Sequence, residues 1–236
     1  MPYRSPSQRA VTPQGRGRYP GFDVLDSVDA WDDVTAGVVL ARLALPGELA
    51  FFTPHEVGIA EPLLDLLLHQ DKDPRVPVLA LIDARLAIGE TDGWHYDEMP
   101  QDGQAWRDTL AGLDQDAVDR HSGRGFSQLA AGEQATLLQA VQDAASGGGS
   151  WRDWSGTHVW SLWTRYACTA FYSHPWAWNE IGFPGPAYPR GYLNPGVNAR
   201  ERWEVADHHD ADPVSFAQRV ERARAEHARL HLEDER

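Results

Sequence analysis

W-R-D-W-S-G-T-H-V-W-S-L-W-T-R-Y-A-C-T-A-F-Y, Trp151 to Tyr172, is the stretch that decides the fold class. Val159, Leu162, Trp163, Tyr166 and Ala170 recur at intervals of three and four residues, the spacing that gathers side chains on one face of an α-helix. The chain continues as S-H-P-W-A-W-N-E-I-G-F-P-G-P-A-Y-P-R-G-Y, Ser173 to Tyr192. Here prolines recur every few residues, each fixing φ and removing a backbone donor, so neither a long helix nor an ordinary strand is expected. Residues 173–200 are therefore expected to form a long Pro/Trp-rich loop. The segment from Trp151 to Tyr192 holds six of the ten tryptophans, and a loop so rich in aromatics must be held by packing, against its own domain or against a partner.

Upstream, T-P-H-E at Thr53–Glu56 carries a helix start: Thr53 at the N-cap, Pro54 at the first helical position and Glu56 completing a capping box. Leucines continue to Leu68, with Pro62 expected to kink or divide the helix. Val78, Leu81, Ile82 and Leu86 mark a second helix, and Trp106, Leu110 and Leu113 a third. Leu137, Leu138 and Val141 mark another over Glu133–Ala144. Residues 21–45 suggest one short helix. Ser146–Ser150, S-G-G-G-S, is expected to be a flexible connection. Asp212 and Pro213 open an expected polar C-terminal helix. No segment alternates with period two for long enough to predict a strand. The expectation is all-α: an irregular helical domain of about five to seven helices over residues 21–200, a disordered basic tail at 1–20, and a polar helical extension at 201–236.

The chain has 236 residues and a formal net charge of −14. Residues 1–20 carry Arg4, Arg9, Arg16 and Arg18 and no acid, so the remainder is more acidic still. An acidic body disfavours nucleic acid and anionic membrane as partners, since both are polyanions. No apolar run reaches the ~18–20 residues that span a bilayer, so no direct membrane insertion is expected. The basic N-terminus lacks a following apolar region, which leaves a cytoplasmic location as the expectation. One cysteine, Cys168, excludes an intramolecular disulfide and, amid helical aromatics, is expected to be a buried inert thiol.

No catalytic fingerprint is found. G-x-G-x-x-G after a strand, a P-loop and G-x-S-x-G are missing, so no cofactor is expected in this chain. His227 and His231 lie four apart on the expected terminal helix, a spacing that can serve a metal, but Ala228 stands where a metalloprotease helix carries glutamate. Asp207-His208-His209-Asp210 fits a turn and helix cap as well as a metal site. Ser173-His174 are neighbours in sequence, which seldom makes a catalytic pair. Neither a catalytic nor a metal residue is assigned. Trp160 and Trp163 fit a helical core. Trp176 and Trp178, bounded by prolines, fit either a loop folded back on its own helices or an aromatic anchor at an interface.

The stretch Phe171–Tyr192, with I-G-F-P-G followed by G-Y, resembles the gluconate 2-dehydrogenase subunit 3 family. F-F-T-P-H-E, V-L-A-L-I-D-A-R-L and G-R-G-F-S-Q-L-A-A-G-E-Q-A-T-L-L resemble that family's helices, so the resemblance covers about residues 51–192. It implies a non-catalytic accessory subunit that stabilises or matures a large subunit of glucose–methanol–choline type. That partner would hold FAD and oxidise a sugar or polyol, and a cytochrome subunit often takes the electrons. Many family members begin with a twin-arginine signal, which this chain does not, so export together with a signal-bearing partner is an alternative to the cytoplasm. On this reading the partner interface comprises Trp176, Trp178, Asn179, Gly182, Phe183, Pro184, Gly185, Gly191 and Tyr192. A free-standing carbohydrate-binding module using the same tryptophans, and a metal-dependent enzyme using the C-terminal histidines, are the alternatives.

Overall fold

The computed structural model describes residues 11–13, 19, 21–44, 47–194, 196, 199–205 and 221. Among them are seven α-helices: α1 (Asp33–Ala41), α2 (Pro54–Leu68), α3 (Val78–Ala87), α4 (Asp102–Arg120), α5 (Ala131–Ser146), α6 (Gly156–Tyr172) and α7 (Pro175–Ile181). Short 3-10 turns at Val24–Ala30 and Phe126–Gln128 and one two-residue hairpin complete the order. The all-α expectation holds. The expected tail at 1–20 and the helix from Asp212, with His208, His209, His227 and His231, lie almost entirely outside the described residues.

Helix α2 starts as its local sequence dictates. The Thr53 hydroxyl accepts from Glu56 N at 3.3 Å, and the Glu56 carboxylate accepts from Thr53 N at 2.8 Å. Arg107 of α4 grips the same carboxylate at 2.7 Å and donates to Phe51 O at 2.8 Å, so the cap also ties two helices together. Burial works against the Glu56 charge, but the Thr53 bonds and the Arg107 guanidinium outweigh it and hold the carboxyl below its ordinary value. The helix runs through Pro62 undivided and ends at His69, whose φ of 53° is left-handed.

α6 is the central element. Val159, Leu162, Trp163, Tyr166, Ala170 and Phe171 are all buried, facing α2, α3, α4 and α5. Trp163 donates from Nε1 to Thr109 Oγ1 at 3.0 Å, satisfying the one polar atom of a fully buried ring. Trp106, also fully buried, meets Phe52 and Tyr166 edge-on. The glycine connection after α5 leads into the hairpin β1 (Ser150–Trp151) and β2 (Trp154–Ser155). Its Trp151 is buried against Trp163 and donates to Asp116 at 2.8 Å.

Two buried carboxylates act as clamps. Asp83 on α3 accepts from the backbone N–H groups of Ala50, Phe51 and Phe52 at 2.7–3.0 Å, which fixes the approach to α2. Asp102 at the start of α4 accepts from the Tyr166 hydroxyl at 2.7 Å, and burial together with that carboxylate pushes the phenol pKa up. Asp92, between Arg85 at 3.0 Å and Arg165 at 3.0 Å, secures the loop that leads there.

Three local expectations are corrected. Residues 21–44 form a 3-10 turn followed by α1 rather than one short helix, because Asp23 and Asp32 each cap a separate start. Cys168 is exposed, because its position on α6 lies off the buried stripe; partial burial raises its pKa and keeps it a thiol. The expected loop at 173–200 opens with α7, because Pro175 occupies the first helical position, where its missing N–H costs nothing.

Candidate partner interface

α7 is built from its two ends. His174 is the N-cap, its Nδ1 accepting from Trp176 N at 3.2 Å. Burial holds its pKa down to about 4, so the imidazole is neutral at ordinary pH. The helix stops at Gly182, in left-handed conformation at φ 67°. Ser173 Oγ donates to Ala170 O at 2.8 Å, so the neighbouring serine and histidine serve two different backbone contacts.

Residues two apart on a helix diverge by about 200°, which sends the two tryptophans to opposite sides. Trp176 packs half-buried on the main core. Trp178 enters a second, smaller core with Val24, Trp31 and Val39. There its Nε1 donates to Tyr172 O at 2.6 Å, and the Arg42 guanidinium lies 5.8 Å from the ring centroid. Asn179 is buried beside it. Its Oδ1 accepts from Val24 N at 2.8 Å, and its amide donates to Val11 O at 3.0 Å and Asp23 Oδ1 at 3.2 Å. Gly182 lies against the ring of Tyr19 and Gly185 against Trp31, both at positive φ and both with no room for a side chain. Trp31 Nε1 donates to Pro186 O at 3.0 Å. Pro184 is buried. Trp178, Asn179, Gly182 and Gly185 thus hold Tyr19 and the segment 21–44 of the same chain.

Tyr192 is 60% exposed, whereas Phe183, 37% exposed, lays its ring edge-on against Trp178 with centroids 5.3 Å apart. They are joined by residues that pattern reading did not single out: Tyr188 at 65% and Leu193 at 80%. Gly191, φ 71°, turns the chain in open space between them. The strap that carries them is tied internally. Arg190 donates to the carbonyls of Pro184 at 3.2 Å and Pro186 at 3.1 Å and stacks on Trp203. Tyr192 leans on the same tryptophan, with ring centroids 5.3 Å apart. The Glu201 carboxylate accepts from the backbone N–H groups of Leu193 and Asn194, both at 2.5 Å. A run of exposed aromatics on a tied strap is suited to protein contact, where Tyr and Trp concentrate binding energy.

The model of one protein family, described as gluconate 2-dehydrogenase subunit 3, matches residues 54–185. The chain belongs to the gluconate 2-dehydrogenase subunit 3 family. The family is one of accessory subunits in dehydrogenase complexes. No curated protein and no solved structure matches the chain. The subunit 3 match begins at the first residue of α2 and ends at Gly185. The arm at 21–44, which packs on Trp178, Asn179 and Gly185, lies outside it, as does the strap beyond Gly185. Among the described residues no group of three His, Cys, Asp or Glu side chains is placed to hold a metal. No helix among them is long and apolar enough to cross a membrane.

Proposed function

We propose that this chain is the non-catalytic accessory subunit of a flavin-dependent sugar or alcohol dehydrogenase, binding and stabilising or maturing a large subunit of glucose–methanol–choline type. FAD and the oxidation chemistry belong to that partner on this reading, and a cytochrome subunit is a further candidate member of the complex. The supporting observation is the distribution of exposed apolar side chains. Of eleven large hydrophobics exposed among the described residues, six (Tyr172, Ile181, Phe183, Tyr188, Tyr192 and Leu193) fall within residues 172–193. Concentrated apolar exposure marks interaction surfaces in proteins of this size. A strap already ordered by Arg190 and Glu201 loses less entropy on docking than a flexible one. The interface anchors are therefore Phe183, Tyr188, Tyr192 and Leu193, with Trp178 and Asn179 supporting them from within.

The test is affinity purification of the tagged chain from its host, with mass spectrometry and absorbance of the co-purified material. Capture of a yellow flavoprotein, lost when Tyr188 and Tyr192 are both replaced by Ala, is the expected result. Flavin and sugar oxidation in the isolated chain would defeat the proposal, as would a wild-type purification that brings down no flavoprotein.

A further inference from the structure

A cleft of about 380 Å³ opens between α2 and the start of α3, away from the residues assigned above to partner contact. Part of its wall is apolar: Val57 and Leu64 from α2, Val76 before α3 and Leu79 in its first turn. The wall that joins the helices is rigid. Gln70, 3% exposed, accepts from Val76 N at 2.8 Å and donates to Val76 O at 3.2 Å, stapling the loop between α2 and α3 across its base. The cleft is thus preformed.

Its charge is unbalanced. Glu61, Asp65 and Asp73 line it together with one guanidinium, Arg75. Arg75 pairs with Asp65 and, at 3.2 Å, with Asp73. Glu61 is exposed one helical turn before Asp65, and its charge acts on the same Arg75 that already serves Asp65 and Asp73. Burial pushes the Asp65 carboxyl up, and the nearby charges of Glu61 and Asp73 add to this against the opposing pull of Arg75. A second cation in the cleft would relieve that repulsion while its aliphatic stem covered Val57 and Leu79.

We propose that this cleft is a second docking site, taking from a partner polypeptide an extended segment in which an Arg or Lys stands beside an apolar residue. Charge complementarity selects the basic residue, and the volume admits one or two side chains but no helix. The site is independent of the flavoprotein reading, because its occupant is defined by the cleft alone.

The experiment uses the isotopically labelled full chain and NMR titration with three probes: N-acetyl-Leu-Arg-Leu-amide, the same peptide with Gln for Arg, and agmatine. The Arg peptide should shift, saturably, the amides of Glu61, Asp65 and residues 73–79, and bind at least about tenfold tighter than the Gln peptide, one charge contact being worth roughly 1.4 kcal/mol at that ratio. Glu61→Gln, at an exposed position, should keep the fold by circular dichroism and weaken the Arg peptide severalfold. Equal binding of the Gln peptide would overturn the proposal, as would shifts confined to other residues or indifference to Glu61→Gln. Agmatine binding as tightly as the Arg peptide would replace it with a small-cation site. No large subunit is present in this titration, so its outcome is separate from that of the flavoprotein purification.

Discussion

The indole of Trp31 lies directly over Gly185, 154 residues later in the chain, in a contact so close that no side chain fits at 185. The Trp31 Nε1 hydrogen bond to Pro186 O fixes the same approach from the other side. These two residues join the arm at 21–44 to the end of the family match.

Gly185→Ala should therefore release the arm. The substitution meets both a φ of 80° and the Trp31 ring, and a strained backbone alone costs of order 1–3 kcal/mol. Limited proteolysis should show new cleavage within residues 21–44 while the helices of the main core stay resistant. Cleavage unchanged from wild type would show that the arm does not depend on this contact.

Trp178 and the tyrosines of the strap should separate stability from binding. Trp178→Ala removes a nearly buried ring from the second core and should destabilise the free chain by about 3–5 kcal/mol. Tyr188→Ala with Tyr192→Ala removes rings that are mostly exposed, and should leave the melting temperature close to wild type while weakening a partner complex by about 2 kcal/mol or more. Thermal melts of the free variants beside binding measurements distinguish the two. A stable Trp178→Ala chain would refute the role given to the second core.

Asp83→Ala should be among the more damaging changes on α3. It strips three backbone N–H groups, at residues 50–52, of their shared acceptor, the one at Phe52 buried and the other two partly so. Each buried donor left without a partner costs about 1–3 kcal/mol, partly offset where water can reach. Asp83→Asn, which keeps one acceptor oxygen, should recover part of the loss in urea unfolding.

Stability should fall as pH drops from about 6.5 to about 4, through His174. Its pKa is about 4 in the fold against an ordinary 6.5, so between those values the unfolded chain binds the extra proton and the folded chain does not. Acidification across that window then favours unfolding, by up to about 3 kcal/mol for the full interval. Glu133, held down to about 2 by the Arg124 hydrogen bond and the Ala130 N–H, adds a loss that begins only below its ordinary 4.5. His174→Asn, which retains a cap acceptor, should flatten the upper part of the profile between pH 6.5 and 4.5. Urea unfolding at pH 7, 5.5 and 4.5 measures it, and an unchanged slope in the variant would assign the dependence elsewhere.

The main helical core was legible because its signals are local. Thr53, Pro54 and Glu56 state a helix start within four residues, and the Val159–Ala170 stripe states a buried face through its own period. Pro175 was harder. Proline reads as a breaker until its position relative to a cap is known, and His174 is an uncommon N-cap, so α7 was hidden inside an expected loop. Asp83 gave no warning either, since a carboxylate at that point of an amphipathic pattern looks like a solvated residue.

The sequence by itself determined the helical class, the position of α2 and α6, the concentration of aromatics after Trp151 and the resemblance that the family match then bore out. Those properties depend on neighbours within a few residues and survive without knowledge of the rest of the chain. Only the tertiary structure decided which aromatics turn outward. Trp178 and Tyr192 look alike in the sequence, but Val24, Trp31 and Val39 arrive from some 140–155 residues away to bury one, while Arg190, Trp203 and Glu201 hold the other in solvent. Burial is a property of contacts closed over long loops, and no pattern local to either residue encodes it.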